Sequence, residues 1–343
     1  MPFQVTLQPS GQSFSVPDGQ TILAAGLAAG RNLPYSCRAG MCRTCRGTVL
    51  QGTVDYGEVE ERFLTPEQRA QGLAMLCKAR PLSDVVVEIQ ELKLQGARPK
   101  MLPCRVMSIS RPAPDVAVVS VKLPMNEPLQ FVAGQYVEFI LKDGKRRSYS
   151  IANAPQVKGI TTVELHIRHM PGGLFTDAVF TTMKERDLLR MEAPLGTFYL
   201  REESSKPVIF LASGTGFAPI KSIIELMIEQ GGGRAISLYW GCRKKSDLYM
   251  LDLPQKWAGE IPGFKFVPVL SEPGPDDDWS GRTGFVHRAV VEDFPDLGGH
   301  QVYACGAPVM VEAARTDFIA QCKLPEEEFF ADAFLTEADH ARA

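Results

Sequence analysis

No run of the 343-residue chain approaches the roughly 18 consecutive apolar residues that a membrane-spanning helix requires. The N-terminal stretch MPFQVTLQPSG lacks a basic segment leading into an apolar one, so the expectation is a cytoplasmic chain with no membrane partner. Neither sign of charge dominates. Lys and Arg number 37 against 40 Asp and Glu, and no segment is basic enough for a nucleic-acid footprint. The five histidines show no ligand spacing, which argues against a substrate-oxidising mononuclear metal triad. Internal repeats and low-complexity tracts are missing, and 45% hydrophobic with 22% charged residues excludes disorder, collagen and coiled coil. Cysteine is scarce as well: eight are too few to staple a chain this long, and a reducing compartment would keep them as thiols.

What is present falls into segments, and the length argues for two or three domains. Residues 4–8 and 13–16 alternate in polarity around Pro9, Ser10 and Gly11 and read as a β-hairpin. A short apolar helix over 22–29 ends at Gly30, a strand covers 47–50, and Thr65, Pro66, Glu67 and Gln68 open a helix with a capping box. A strand at 85–89 closes the segment. LKLQGARPKMLP has no apolar period and reads as a linker. Six strands and one helix between 104 and 200 indicate a small antiparallel barrel. From Pro207 the rhythm changes to strand, Gly-rich turn and helix, the pattern of a parallel sheet with crossover helices. The expected architecture is multidomain: residues 1–92, a linker at 93–103, a β-barrel at 104–203, and an α/β domain at 204–343.

Cys37, Cys42 and Cys45 lie within nine residues, separated by four and two, and Cys77 follows after 31 more. This spacing matches the plant-type [2Fe-2S] arrangement, in which four thiolates hold two irons. Gly40 lets the loop bring amides toward the sulfurs, and Arg38, Arg43 and Arg46 are placed to offset the charge of a thiolate-ligated cluster. Zinc or unliganded core cysteines are the alternatives. Zinc sites usually pair two short knuckles, whereas Cys77 stands alone in the apolar run LAMLC. The segment CRAGMCRTC resembles plant-type ferredoxins over about residues 1–90, which implies a β-grasp fold with Cys37, Cys42, Cys45 and Cys77 as the iron ligands.

The barrel segment contains RRSYSIANAP and then HIRHMPGGLFT. Arg147 can hold a pyrophosphate bidentately, and Gly172 and Gly173 at a helix start offer free amides to the same anion. Tyr149 is suited to pack on a flat ring, and Ser150 to hydrogen-bond at that ring's reactive edge. A solvated sheet face is the bland alternative for RSYS alone. In the α/β segment, strand 208–212 runs into SGTGFAP and an apolar helix over 220–228, an anion cradle of Gly214, Thr215 and Gly216. A tight turn with Pro219 in the first helical turn is the alternative there. VYACGAP places Cys305 and Gly306 at a strand's C-terminal end, where ligands bind in parallel sheets; a buried core cysteine is the other possibility.

These motifs together resemble the ferredoxin-NADP reductase superfamily over about residues 104–334. The resemblance implies that Arg147, Gly172, Gly173 and Thr176 hold the phosphates of FAD, that Tyr149 lies against the isoalloxazine, and that Ser150 faces its N5. It implies that Gly214, Thr215 and Gly216 hold NAD(P), that Cys305 and Gly306 stand beside the nicotinamide, and that Asp332 and Phe334 return to the flavin. Asp247 suits a ribose diol and favours NADH, while Arg243, Lys244 and Lys245 leave NADPH as the alternative. Cys104, Cys242 and Cys322 are expected to be packing residues.

Nearly the whole chain resembles the NADH-dependent reductases of CDP-6-deoxy-L-threo-D-glycero-4-hexulose-3-dehydrase, through YSCRAGMC, AGQYVEFI, RRSYSIANAP, LASGTGFAPIKS, GFVHRAVVEDFPDL, VYACG and FFADAF. The implied route is NADH to FAD to [2Fe-2S] to a protein acceptor, a pyridoxamine-phosphate dehydrase of 3,6-dideoxysugar synthesis, with the reductase a monomer in isolation. The cofactor motifs are shared with reductase components of Rieske dioxygenases and diiron monooxygenases, the alternative. An electron carrier or binding module without NAD(P)H chemistry is a third reading, opposed by the joint presence of Arg147, Tyr149, Ser150, Gly214, Gly216 and Cys305. The arginines around the cluster loop suit an acidic patch on the acceptor.

Overall fold

The computed structural model describes residues 2–93 and 98–335, and the chain separates into two compact units, Met1–Gln95 with Ala331–Ala343, and Gly96–Phe330. In the first unit, β1 (Phe3–Gln8) and β2 (Ser13–Val16) pair antiparallel, burying Val5, Leu7, Phe14 and Val16 as the period of two demands. Helix α1 (Ile22–Ala28) is capped by the Thr21 hydroxyl, which accepts from the Ala24 amide at 3.3 Å. After the cysteine loop come β3 (Arg46–Gln51), β4 (Val54–Asp55), α2 (Pro66–Ala70), β5 (Leu73–Met75), β6 (Arg80–Pro81) and β7 (Val85–Glu88). The capping box at Thr65 and Gln68 is formed as expected. The main sheet has the order β2-β1-β7-β3-β5, with β1 and β7 parallel at its centre and the other pairs antiparallel, the arrangement of a β-grasp.

The second unit opens with β8 (Lys100–Ala113), β9 (Val116–Lys122), β10 (Tyr136–Ile140), β11 (Arg146–Ser150), β12 (Thr162–Arg168), helix α3 (Leu174–Thr181) and β13 (Leu188–Leu195). Six strands in the order β11-β10-β13-β8-β9-β12 pair antiparallel, and an Ile151–Leu165 bridge brings the two ends of the row together. Closing the row removes the exposed edges. The core inside it includes Leu102, Val119, Val137, Phe139, Ile151, Leu165 and Phe175.

The expected linker is shorter than its composition suggested. Residues 100–103 belong to β8, where Leu102, Cys104 and Val106 are buried in alternation. Pro103 hid this pattern, yet it lies before the stretch that β9 pairs, which begins at Arg105 opposite Lys122, so its missing N–H costs no bond to β9. Residues 94–97 of that linker lie outside the described residues. Strand β11 starts at Arg146, because Ile140 and Arg146 already pair across the hairpin.

The remaining elements are β14 (Val208–Ser213), α4 (Phe217–Glu229), β15 (Ile236–Cys242), α5 (Asp252–Glu260), β16 (Phe264–Leu270), β17 (Arg282–Thr283), α6 (Val286–Asp293), β18 (Gln301–Gly306), α7 (Pro308–Cys322) and β19 (Phe329–Ala333). The sheet order is β17-β16-β15-β14-β18-β19, and the pairs among β14 to β18 are all parallel. Successive strands step outward from β14 to β17, and the chain then returns to β18 on the other side of β14. Between β14 and β18 the order reverses, so the C-terminal ends of these strands frame the crevice in which open α/β sheets bind ligands. Among the described residues no helix is long and apolar enough to cross a membrane.

Candidate functional site

The cysteine loop follows α1 and lacks regular structure, with Arg38, Gly40 and Arg43 in the left-handed region at φ 54°, 82° and 62°. This turning brings the amides of Ala39 and Cys42 to 3.4 Å from the Cys37 sulfur. Cys77 is held from the other side: Leu76 donates to the Cys45 carbonyl at 3.1 Å, while the first amides of α1, Ile22 and Leu23, donate to Ala79 and Leu76. The four thiols associate in two pairs. Cys37 hydrogen-bonds Cys42, which raises the first and lowers the second, and Cys45 is raised by its bond to Cys77. Among the described residues no three His, Cys, Asp or Glu side chains converge where one ion could sit. Two irons taking two thiolates each fit this pairing.

Asp332 is expected to return to the flavin. The structure places its carboxylate 2.6 Å from the Ser36 hydroxyl, which precedes Cys37, and Ser36 also accepts from the Ala333 amide at 3.4 Å. Burial pushes the Asp332 carboxyl up to about 6, the Ser36 bond opposing and Cys42 assisting. Phe334 is half-buried just beyond β19. No sequence signal pointed to Ser36, since its partner is almost three hundred residues away.

In the barrel, Arg146 on β11 pairs with Glu138 at 3.0 Å and with Glu192, and the Ser148 hydroxyl donates to Glu138 at 3.2 Å. These bonds pin one face of β11, so alternation turns Arg147 and Tyr149 to the opposite face. The Tyr149 ring lies 5.3 Å from Phe175 in the first turn of α3 and 6.1 Å from Phe139, and burial pushes its phenol above the ordinary value. Arg147 donates to the Arg146 carbonyl at 2.9 Å. Ser150 ends the strand opposite Tyr136 and is buried.

The glycine pair corrects one expectation. Gly172 donates to the Asp177 carboxylate at 3.1 Å and Gly173 to the Met170 carbonyl at 2.8 Å, so these amides are already engaged. The amides with no carbonyl partner inside the helix are those of Leu174, Phe175 and Thr176, the first three positions of α3. These amides lie one step beyond the glycines. Gly172 supplies a left-handed turn at φ 84° with open space around it, and Thr176 steadies the turn by donating to the Met170 carbonyl at 2.9 Å.

At the sheet crevice, Gly214, Thr215 and Gly216 form a short 3-10 turn that leads directly into α4. Helix α4 thus starts at Phe217, three residues before the apolar run at 220, with Pro219 in its first turn. Ala212 pairs with Cys305, so the turns after β14 and β18 meet at one level. They touch through backbone. A Cβ on Gly216 would stand 2.1 Å from the Cys305 carbonyl oxygen, and one on Gly306 would stand 2.2 Å from the Ser213 hydroxyl. Ser213 accepts from the Ala307 amide at 2.9 Å, which locks the two turns together. The Trp240 indole donates to the Gly214 carbonyl at 3.0 Å, a contact the sequence did not advertise. Thr215 is the part-exposed residue of the turn, and Cys305 is fully buried.

Asp247 lies at the C-terminal side of β15, where its carboxylate accepts from the Lys244 amide at 3.1 Å and its carbonyl accepts from the Cys242 thiol at 3.3 Å. Arg243, Lys244 and Lys245 are exposed. Cys104 and Cys322 are packed in the interior as expected, while Cys242 is half-buried.

Three family models match the chain: a 2Fe-2S iron-sulfur cluster binding domain over residues 5–82, an oxidoreductase FAD-binding domain over 103–199 and an oxidoreductase NAD-binding domain over 210–316. The chain is 42% identical, over 98% of its length and 99% of the relative's, to a CDP-6-deoxy-L-threo-D-glycero-4-hexulose-3-dehydrase reductase of Yersinia pseudotuberculosis. It is 36% identical, over 99% of its length and 97% of the relative's, to the reductase component of a phenol 2-monooxygenase from a Pseudomonas species. The solved cytochrome P450 reductase of Amycolatopsis is similar in structure, with a TM-score of 0.77 and 36% identity over 97% of this chain and 98% of that one. The chain accordingly belongs to the NAD(P)H-dependent iron-sulfur flavoprotein reductases, the family of the CDP-6-deoxy-L-threo-D-glycero-4-hexulose-3-dehydrase reductases, which carry electrons through 2Fe-2S, FAD-binding and NAD-binding domains on one polypeptide.

Proposed function

We propose that this reductase takes electrons from NADH and delivers them to a pyridoxamine-phosphate-dependent CDP-4-keto-6-deoxyhexose 3-dehydrase, acting in the cytoplasm as a monomer. The observation that carries the choice of acceptor is the 42% identity across essentially both full lengths to a reductase named for that dehydrase. A bound flavin would supply the chemistry that links the two-electron donor NADH to the one-electron 2Fe-2S centre.

The chain's own residues have separable tasks in this reading. Arg147 and the amides of Leu174, Phe175 and Thr176 bind the flavin pyrophosphate, and Tyr149, fixed against Phe175, orients the ring. Ser150 donates a hydrogen bond at the ring edge. The Gly214–Gly216 turn and the first turn of α4 hold the dinucleotide, Asp247 receives a ribose hydroxyl, and Cys305 with Gly306 borders the nicotinamide. Cys37, Cys42, Cys45 and Cys77 are the iron ligands, and the amides of Ala39 and Cys42 stabilise charge on Cys37. A linker that ends before β8 and a domain division between 203 and 204 belong to the same proposal.

A second reading rests on the 36% identity to a monooxygenase reductase component over an equal span, which supports an oxygenase as acceptor. The deciding experiment supplies the purified holoprotein and NADH, without oxygen, to the candidate dehydrase loaded with its sugar nucleotide. Consumption of NADH coupled to loss of the sugar 3-hydroxyl is expected. Bleaching of both chromophores by NADH without transfer to the dehydrase would move the assignment to an oxygenase, and a purified protein carrying zinc in place of iron would refute the electron route.

A further inference from the structure

Helix α4 buries two adjacent polar residues among its apolar ones, Lys221 at 6% exposure and Ser222 at 0%. Lys221 donates to the Ala152 carbonyl at 3.2 Å, and the Ser222 hydroxyl donates to the Asn153 carbonyl at 2.9 Å. Two consecutive residues of the helix that leaves the Gly214–Gly216 turn thus hold two consecutive carbonyls of the segment that leaves β11. The accepting segment is itself clamped. The Asn153 side chain donates to the Thr162 carbonyl at 3.1 Å and accepts from the Glu164 amide at 2.9 Å.

The charge of Lys221 is met by Glu164 at 3.2 Å on β12 and by Glu225 at 2.8 Å on its own helix. Glu164 also bonds His166 at 3.0 Å, and the other ring nitrogen of His166 bonds the Tyr249 hydroxyl at 2.8 Å. Tyr249 meets Trp240 edge-on with ring centroids 5.3 Å apart, and Trp240 donates to the Gly214 carbonyl. The contacts return to the turn from which α4 began. A ring of polar and aromatic contacts therefore joins the end of the RRSYS strand to Gly214 and to helix α4, on either side of the turn. A buried ion pair gains little net stability over apolar packing, yet it tolerates few alternative geometries. Nothing in the proposed cofactor contacts uses Lys221, Glu164 or His166.

We propose that Lys221 is a positioning residue for hydride transfer: through the Ala152 carbonyl and Glu164 it holds the dinucleotide turn in register with the end of β11. The proposal rests on the reading of these two motifs as nicotinamide and flavin sites. It deepens that reading by naming the device that sets their mutual distance. Displacement by about 1 Å of a reacting pair can cost on the order of a hundredfold in rate without much change in binding.

The test is anaerobic stopped-flow reduction of the flavin in the holoprotein by NADH, with Lys221→Met and, as a milder change that keeps shape and hydrogen bonding, Glu164→Gln. For Lys221→Met the limiting rate is expected to fall about tenfold to a hundredfold, with FAD content kept and the NADH dissociation constant changed by less than about threefold. The isotope effect from NADH deuterated at the transferred position should rise toward its full value, a change that lowered stability alone does not produce. Glu164→Gln should move in the same direction by less, and it keeps the test decisive if Lys221→Met does not fold. A limiting rate within about twofold of the parent in the folded variants overturns the proposal, as does a loss explained wholly by weaker NADH or FAD binding. Failure of the parent protein itself to be reduced by NADH would instead remove the underlying assignment.

Discussion

Replacement of Gly216 by alanine tests the claim that the crevice at the ends of β14 and β18 depends on direct backbone contact between two turns. The added methyl would lie 2.1 Å from the Cys305 oxygen, 2.5 Å from its carbonyl carbon and 2.8 Å from the Gly306 Cα. Ordinary contact begins near 3.4 Å, so the turn after β14 and the end of β18 must part by more than 1 Å. All three obstructing atoms are backbone of neighbouring segments in a parallel sheet, and none can rotate aside. Overpacking of this kind costs about 1–3 kcal/mol, with this site at the upper end. At about 2–4 °C per kcal/mol for a unit of this size, the melting midpoint should drop by about 5–10 °C. Flavin reduction by NADH should fall by on the order of a hundredfold, because the displaced atoms border the crevice. The iron-sulfur and flavin spectra should persist. Gly214→Ala is the matched control: the nearest atoms to its Cβ belong to the Arg168 guanidinium, at 3.0 Å, the far end of a flexible side chain rather than backbone, leaving chiefly the strain of φ 51°. Calorimetry and anaerobic stopped-flow spectroscopy measure both variants. A Gly216→Ala protein that melts within about 1 °C of the parent and is reduced at the parental rate would refute the reasoning.

Burial works to raise the Glu164 carboxyl, but the His166 hydrogen bond and the Lys221 charge hold it at about 2. A folded-state value below the ordinary one contributes stability that is complete above about pH 4.5 and is lost as the pH falls toward 2. The contribution is about 3 kcal/mol, of which about 2 kcal/mol should be gone by pH 3. Unfolding of the full chain between pH 6 and pH 3 should be flatter in Glu164→Gln, and parallel curves would contradict the pairing. Cys37→Ser should abolish the iron-sulfur spectrum while NADH still bleaches the flavin, read by absorbance and paramagnetic resonance; retention of a 2Fe-2S signal would exclude Cys37 as a ligand. Cys305→Ser should slow flavin reduction with both chromophores in place, and an unchanged rate in stopped flow would remove Cys305 from the nicotinamide pocket.

Much of this molecule is legible along the chain because its motifs are local. The cysteine spacing, the capping box at Thr65 and Gln68, the alternation of β1 and β2 and the strand-turn-helix at Gly214 each depend on residues within a few positions of one another. Reading failed where a local signal was overridden. Pro103 made the start of β8 look like linker, and the glycine pair before α3 looked like free donors although Asp177 and Met170 take both amides. Ser36, Trp240 and Lys221 gave no signal, because their partners lie 296, 26 and 69 residues away.

The sequence by itself determined the cofactor classes and the order of the segments that carry them, since those follow from residue type and short spacing. Only the tertiary structure decided which thiols pair, why Gly216 and Gly306 have no room for a side chain, and where Asp332 goes. It also decided how the helix after the Gly214–Gly216 turn grips the segment that follows β11. Such facts depend on strand order and on the return of β18 beside β14, and a linear pattern does not encode which distant backbones will touch.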